Sequence, residues 1–221
     1  MGRLADWVYD LLTQGRLNVA RLPQAAPLGL VFAVRQEFDT LLEATPAGDW
    51  VDYRSARPKH EFLRYLAEER GLLLHGSNDP EISEFTPRPQ HTYTGEPIEA
   101  AFATTDGIWV LYFATISRPP VWSLRNACNV LGDRRRYLFS IDTDPASAES
   151  WTNGAVYILE RESFTSTYDQ EWVSRTAVLP RARLAVSPED FPFRTRVFRH
   201  CVGESDAAFL ARLARAGLVA G

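Results

Sequence analysis

LLLHGSN at residues 72–78 and AAFATTDGIWVLYFA at residues 100–114 are the two stretches that decide the fold. The three leucines before His75 predict a short strand that is covered on both faces. The apolar start of the second stretch predicts another strand, and Asp106 is placed to cap a helix over residues 107–116. Each strand delivers polar or aromatic groups to its end, so we expect a cleft there that accepts a flat ring with polar edges.

Helical and strand patterns divide the rest of the chain. Apolar residues recur at helical spacing over residues 3–12, 28–44, 55–70 and 206–216. Further strand patterns cover residues 136–141, 155–159, 172–178 and 182–186. Few strand–helix–strand alternations occur, which argues against a doubly wound parallel sheet. We therefore predict an α+β fold with a mixed or antiparallel sheet, a helical N-terminal cap over residues 1–55, and the main domain over 56–221, the two able to form one compact unit.

Composition and charge limit the class of protein. The chain has 221 residues, of which 45% are hydrophobic and 24% charged, as in ordinary globular domains. Its net charge of -4 gives no global basic field for nucleic acid. No apolar run is long enough to span a membrane and no secretory signal is visible, which predicts a cytoplasmic protein. Cys128 and Cys201 lack metal-ligand spacing, so no metal is expected.

Four residues in the two stretches are candidates for binding a ligand. Neutral His75 donates with one ring nitrogen and accepts with the other, which suits a sugar diol. Gly76 lets a backbone approach a ligand without a Cβ in the way, and Ser77 adds a hydroxyl. Tyr112 offers a flat face and a polar tip. A packed strand end with a hydrogen-bonded histidine explains the same residues, and that alternative stays open.

A carboxylate later in the chain is the third element. Glu171 begins a β-rich apolar stretch. A carboxylate at the first residue of a strand is either an edge charge or a group that points into a cleft bordered by the strand. Glu160 and Glu162 in the preceding strand pattern are alternative carboxylates.

In order, the three elements resemble the His-Tyr-Glu core of the diphtheria-toxin-like ADP-ribosyltransferases, which include the poly(ADP-ribose) polymerases. His75-Gly76 is similar to the His-Gly that ends the first strand of that family. Phe102-Ala103, with Tyr112 ten residues after the phenylalanine, reproduces the second motif, and Glu171 resembles the glutamate that opens a late strand. The resemblance covers roughly residues 72–186. The chain also resembles uncharacterised bacterial proteins with LLHGSN and FATxDGIW patterns.

The resemblance implies NAD as the substrate, no metal, and transfer of ADP-ribose with release of nicotinamide. It implies that His75 binds the adenosine-side ribose and that the Gly76 backbone holds the nicotinamide carboxamide. Tyr112 would stack on the nicotinamide ring. Glu171 would bind the 2′-hydroxyl of the nicotinamide ribose and stabilise the oxocarbenium-like charge that develops as nicotinamide leaves.

Two positions depart from the pattern of that family. The polymerases often have a tyrosine where this chain has Ala101, and a serine that bonds the carboxamide where it has Trp109. Trp109 therefore either stacks on the ring or fills the pocket, and Ser77 or Thr105 is the substitute hydroxyl. Arg88, in the loop after the His-Gly-Ser, is the candidate contact to the pyrophosphate, with a solvated surface arginine as the alternative.

Several functions are compatible with these residues. A mono-ADP-ribosyltransferase would modify a protein, a nucleic acid or a small molecule, whereas an NAD glycohydrolase would use water with the same residues. A tRNA 2′-phosphotransferase needs several arginines at the cleft, and only Arg88 and Arg118 lie near the motifs. A non-catalytic binding or interaction module on a degenerate fold is the alternative from another class. No residue indicates an antitoxin partner.

Overall fold

The computed structural model describes residues 22–92, 95–131, 133–168 and 170–218. The predicted helix over residues 3–12 therefore lies outside the described residues. The helices are α1 (Phe32–Glu43), α2 (Lys59–Glu68), α3 (Trp109–Thr115) and α4 (Asp206–Leu218). The strands are β1 (Gln24–Ala25), β2 (Leu73–Ser77), β3 (Arg88–His91), β4 (Pro97–Thr104), β5 (Leu124–Leu131), β6 (Arg134–Ile141), β7 (Gly154–Leu159), β8 (Thr165–Tyr168), β9 (Glu171–Ser174), β10 (Ala182–Val186) and β11 (Phe198–Arg199). Short 3₁₀ turns form at Ala148–Ser150, Pro188–Asp190 and Arg194–Arg196.

The described chain divides into two compact units. The first unit contains residues 22–27, 117–150 and 193–218, and the second contains residues 28–116 and 151–192. This division differs from the boundary expected near residue 55. Residues after α1 belong with the second unit because their backbone bonds to the start of β10: Val51 N donates to Arg183 O at 2.8 Å, and Gly48 N donates to Arg181 O at 2.9 Å.

The first unit is a small mixed sheet covered by α4. β5 pairs with β6 in antiparallel fashion along its whole length, while β1 pairs antiparallel and β11 parallel with shorter parts of β6. Apolar residues of α4 recur on one helical face and pack against the sheet, because burying them removes apolar surface from water. The buried cluster consists of Leu22, Ala127, Leu138, Phe209, Leu210 and Leu213.

The second unit contains the sheet on which the predicted site residues lie. Its strand order is β10-β7-β2-β4-β9-β8, and every neighbouring pair is antiparallel. β3 adds an antiparallel pair with the first half of β4. These sheets confirm the predicted α+β class with mixed or antiparallel sheets and helical flanks.

Helix α3 packs closely on one face of this second sheet. An added Cβ at Gly76 would clash with the carbonyl oxygen of Val110 and would lie 2.9 Å from the Ala114 nitrogen. An added Cβ at Gly154 would clash with the Ala114 carbonyl oxygen. The two glycines therefore let the helix backbone approach the strands, and they define the helix face of the sheet.

The opposite face of the same sheet, called here the loop face, is covered by the segment after β2. Side chains alternate between the two faces along a strand, so Leu73 and His75 point away from α3. The loop face is packed by a cluster that comprises Leu73, Phe85, Ala101, Ala103, Ala155, Tyr157, Leu159, Phe164 and Val178, with Ile82 and Trp172 beside it. Among the described residues, no helix combines the length and the apolar character needed to cross a bilayer.

Candidate functional site

The three sequence motifs meet on three adjacent strands. Leu74, the residue before the His-Gly, pairs with Thr104 at the end of β4. Thr104 in turn pairs with Glu171, the first residue of β9. Residues that are far apart in sequence thus form one row across the sheet, and this row is the centre of the candidate site.

Strands β2 and β4 separate beside this row. Leu74 with Thr104 is the only paired position between β2 and β4 among the described residues, and β2 continues beyond it as a partner of β7 alone. The carbonyl oxygen of Phe102, in the part of β4 that does not pair with β2, accepts a hydrogen bond of 2.7 Å from His75 Nδ1. The imidazole therefore takes the place of a strand backbone at the opening.

His75 is neutral at physiological pH. Burial lowers its pKa below the usual 6.5, the hydrogen bond to Phe102 opposes this change, and the Arg88 guanidinium lowers the pKa further. A carbonyl oxygen only accepts, so Nδ1 carries the proton and Nε2 keeps a lone pair. The ring also packs against Phe85, with 4.6 Å between centroids. Arg88, the candidate pyrophosphate contact, is exposed and pairs with Ala100 on β4.

Gly76 and Ser77 have structural contacts of their own. The close approach of α3 described above explains why residue 76 is a glycine, independently of any ligand. Ser77 Oγ accepts a hydrogen bond of 3.0 Å from the Asp79 backbone nitrogen, which fixes the turn after β2. The side chain of Ser77 is partly exposed.

Tyr112 is fully buried, with none of its surface exposed. Its ring lies 5.6 Å from the Phe113 ring and 5.9 Å from the Phe191 ring, centroid to centroid. The expected stacking of this ring on a ligand is therefore not available in this conformation. The helix that carries Tyr112 also packs on the face of the sheet opposite to His75, so the structure does not bring these two side chains to one hollow.

Trp109 on α3 is partly exposed, and Phe113 on the same helix is exposed. Asp106, which is fully buried, accepts hydrogen bonds from the Ile108 and Trp109 backbone nitrogens at 2.9 and 2.8 Å. This confirms Asp106 as the predicted cap and fixes the position of the first turn. The Trp109 ring lies 6.0 Å from the Phe113 ring.

Glu171 is held at the same corner of the sheet as the start of α3. Thr105 N donates to the Gln170 carbonyl at 3.2 Å, and the two side chains also bond. Glu171 Oε1 accepts a hydrogen bond of 2.7 Å from Thr167 Oγ1 on β8. The carboxylate is partly exposed and, by its pairing with Thr104, belongs to the helix face of the sheet.

The structure thus separates the predicted residues into two groups. Glu171 and the helix that carries Trp109 lie on the helix face, His75 lies on the loop face, and Arg88 pairs with Ala100 on β4. Glu160 and Glu162, the alternative carboxylates, have exposed side chains beyond the end of β7. Arg118 belongs to the first unit.

Two residues that sequence reasoning missed support the candidate carboxylate. Thr167 and Gln170 orient Glu171 and the turn before α3 through the hydrogen bonds given above. Their signal in the sequence is a threonine four residues before a glutamate, which becomes meaningful only when β8 and β9 are known to pair. Within the described ranges, no group of three or more His, Cys, Asp or Glu side chains is arranged to hold a metal ion.

Comparisons with known proteins add no relative. No family model, no curated protein and no solved structure matches this chain. The function is therefore argued from the residues and their geometry.

Proposed function

We propose that this chain binds NAD at the corner formed by Glu171 and Trp109 and cleaves its bond between nicotinamide and ribose. ADP-ribose is then transferred to an acceptor, and the same site acts as an NAD glycohydrolase when the acceptor is water. No metal takes part in this chemistry, and the reaction belongs in the cytoplasm. The acceptor is a macromolecule or a small molecule with a nucleophilic group.

The row of Leu74, Thr104 and Glu171 is the observation that carries this proposal. The three motifs that resemble the ADP-ribosyltransferase core are 30 and 67 residues apart along the row, yet they occupy adjacent strands where the sheet opens. An opening between paired strands leaves backbone groups available to a ligand. This arrangement supports the proposal of a split sheet of the ADP-ribosyltransferase type.

Glu171 is the proposed catalytic residue because its carboxylate is negatively charged and is held in position by a hydrogen bond. As nicotinamide leaves, positive charge develops on the ribose, and a fixed carboxylate stabilises it without reorganising. The hydrogen bond from Thr167 reduces the freedom of the carboxylate, which in this proposal accepts a hydrogen bond from the 2′-hydroxyl of the ribose. Removing a preorganised electrostatic group of this kind raises the activation free energy by about 2.7–4 kcal/mol.

Trp109 is the proposed stacking platform in place of Tyr112. An indole ring presents the larger flat face, and the ring of residue 109 is partly exposed while that of residue 112 is buried. The backbone of the first turn of α3 is fixed by Asp106, which restrains the position of the platform. The proposal therefore changes the role expected of Tyr112 from ligand contact to core packing.

A second candidate function is a non-catalytic binding module on a degenerate fold of this type. The burial of Tyr112 and the hydrogen bond from His75 to Phe102 favour it, because both residues are already engaged by the protein. On this alternative, Glu171 is an edge carboxylate held by its neighbours. Both candidates predict a folded protein, but only the proposed function predicts that nicotinamide is released from NAD.

Incubation of the purified protein with NAD separates the two candidates. Free nicotinamide is measured by chromatography, and NAD binding is measured in parallel by calorimetry. The proposed function predicts binding together with a steady release of nicotinamide above that of a buffer control. Binding of intact NAD without release supports a module that binds NAD. Absence of release rules out the proposed function.

Trp109→Ala tests the platform against Tyr112→Phe as its control. Loss of an exposed stacking face weakens NAD binding by about 1–3 kcal/mol, as for other base–aromatic stacks. Tyr112→Phe keeps the buried ring, so NAD binding stays at the wild-type level. NAD binding at the wild-type level by Trp109→Ala would contradict the stacking role of residue 109.

A further inference from the structure

An arginine and a tryptophan on the second unit have buried donors without an acceptor. Arg161 follows β7, and its guanidinium carbon lies 4.5 Å from the centre of the Trp172 ring on β9. Arg161 Nε and Trp172 Nε1 are both buried, and neither has a hydrogen-bond partner among the described residues. Buried donors in folded proteins are nearly always paired, so two adjacent exceptions indicate a place for an acceptor.

Among the described residues, no carboxylate forms a salt bridge with Arg161 either. Glu160 and Glu162 flank it in sequence, but both side chains are exposed and neither forms a salt bridge with it in the described part of the chain. A water molecule satisfies a donor and leaves the charge unpaired. An oxyanion accepts the hydrogen bonds and also compensates the half-buried guanidinium.

We propose that Arg161 and Trp172 form a binding site for a phosphate group. The Nε side of a guanidinium presents two parallel N–H donors. A carboxylate ligand would use both of its oxygens to accept hydrogen bonds from these two donors. A phosphate has further oxygens, so it can occupy this fork and accept from the indole N–H at the same time. The ring under the guanidinium holds the fork in place, since arginine stacks well on an indole face.

This phosphate site is separate from the proposed NAD corner. Trp172 pairs with Ala103 and packs against the cluster of the loop face. Glu171, the preceding residue, points to the helix face. Phosphate binding at Arg161 therefore does not depend on cleavage of NAD, and either can be present without the other. The phosphate is either free inorganic phosphate or part of a larger molecule.

Nuclear magnetic resonance of the full chain with ¹⁵N-labelled tryptophan tests the site directly. The indole signal that disappears in Trp172→Phe is assigned to Trp172 Nε1. Inorganic phosphate, ADP and acetate are titrated separately at constant ionic strength. We expect this one signal to move downfield and to saturate with phosphate or with ADP, but not with acetate. Saturation by phosphate alone identifies the free anion, and saturation by ADP only identifies a phosphorylated ligand.

Three variants establish which groups bind. Arg161→Gln abolishes the saturating shift, and Arg161→Lys weakens it because the charge remains while the fork is lost. Arg175→Gln, which removes an exposed arginine after β9, is the matched control and leaves the shift unchanged. In calorimetry, Trp172→Phe weakens phosphate binding about tenfold, which corresponds to about 1.4 kcal/mol. A signal that phosphate and ADP do not move, an equal response to acetate, or an unchanged response in Arg161→Gln would overturn the site.

Discussion

Replacing Gly76 with alanine tests whether this residue serves helix packing or ligand binding. The added Cβ would clash with the Val110 carbonyl and would lie 2.9 Å from the Ala114 nitrogen. Both neighbours are backbone atoms, so relief requires movement of α3 away from β2. Overpacking of this kind costs about 1–3 kcal/mol. For a chain of this size each kcal/mol lowers the melting temperature by about 2–4 °C.

The assay for Gly76→Ala is urea denaturation followed by circular dichroism, with Gly29→Ala as the control. No atom outside its chain neighbours lies within 4 Å of a Cβ added at Gly29, so that variant should stay within about 0.5 kcal/mol of wild type. A Gly76→Ala protein as stable as wild type would refute the close packing of α3 on β2. If such a protein also lost NAD binding, Gly76 would instead have the ligand role that the resemblance implies.

Two further predictions concern a helix cap and a pH dependence. Asp106→Ala should destabilise the protein by about 1–2 kcal/mol in thermal unfolding, because Ile108 N and Trp109 N lose their acceptor, whereas Asp106→Ser should retain most of the stability. The hydrogen bond from Arg212 lowers the pKa of Glu204 from 4.5 to about 2. A carboxyl group whose folded pKa is lowered stabilises the protein above its unfolded pKa, and this stabilisation is lost as the pH falls from about 4.5 to about 2. Glu204→Gln should therefore be less stable than wild type at pH 7 in urea titrations, and the difference should shrink across that window; a constant difference would contradict the assignment.

The sequence alone was sufficient to predict elements that depend on contacts between residues close in sequence. The cap at Asp106 and the strand Ala182–Val186 were predicted as the structure has them, because a cap and an alternating pattern depend on neighbours in sequence. The strand predicted over residues 172–178 is shorter in the structure and ends at Ser174. The Ser174 side chain bonds to Thr176, so a local turn replaces the ladder there.

Strands rich in polar residues were missed. β5 contains Arg125, Asn126 and Asn129, and its whole length pairs with β6. β8 is rich in hydroxyl residues and pairs with β9. Neither strand has the apolar run that marks a strand in sequence, so pairing with a partner defines both.

The arrangement of the site depended on register and helix orientation. Glu171 lies in the row of Leu74, and a shift of one residue separates it from the face of His75. Likewise, Tyr112 and Trp109 are three residues apart on α3, and which of the two is buried depends on the side of the helix that meets the sheet. Neither the register of the strands nor the orientation of α3 can be predicted from the spacing of residues alone.

The most direct test of the proposed chemistry is the rate of nicotinamide release by Glu171→Gln, measured beside wild type and the exposed-carboxylate control Glu162→Gln. The proposed role predicts release by wild type and by Glu162→Gln at equal rates, and a rate about 10²–10³ times lower for Glu171→Gln. Equal rates for Glu171→Gln and wild type, or no release by folded wild-type protein, would contradict the assignment of Glu171 as the catalytic residue.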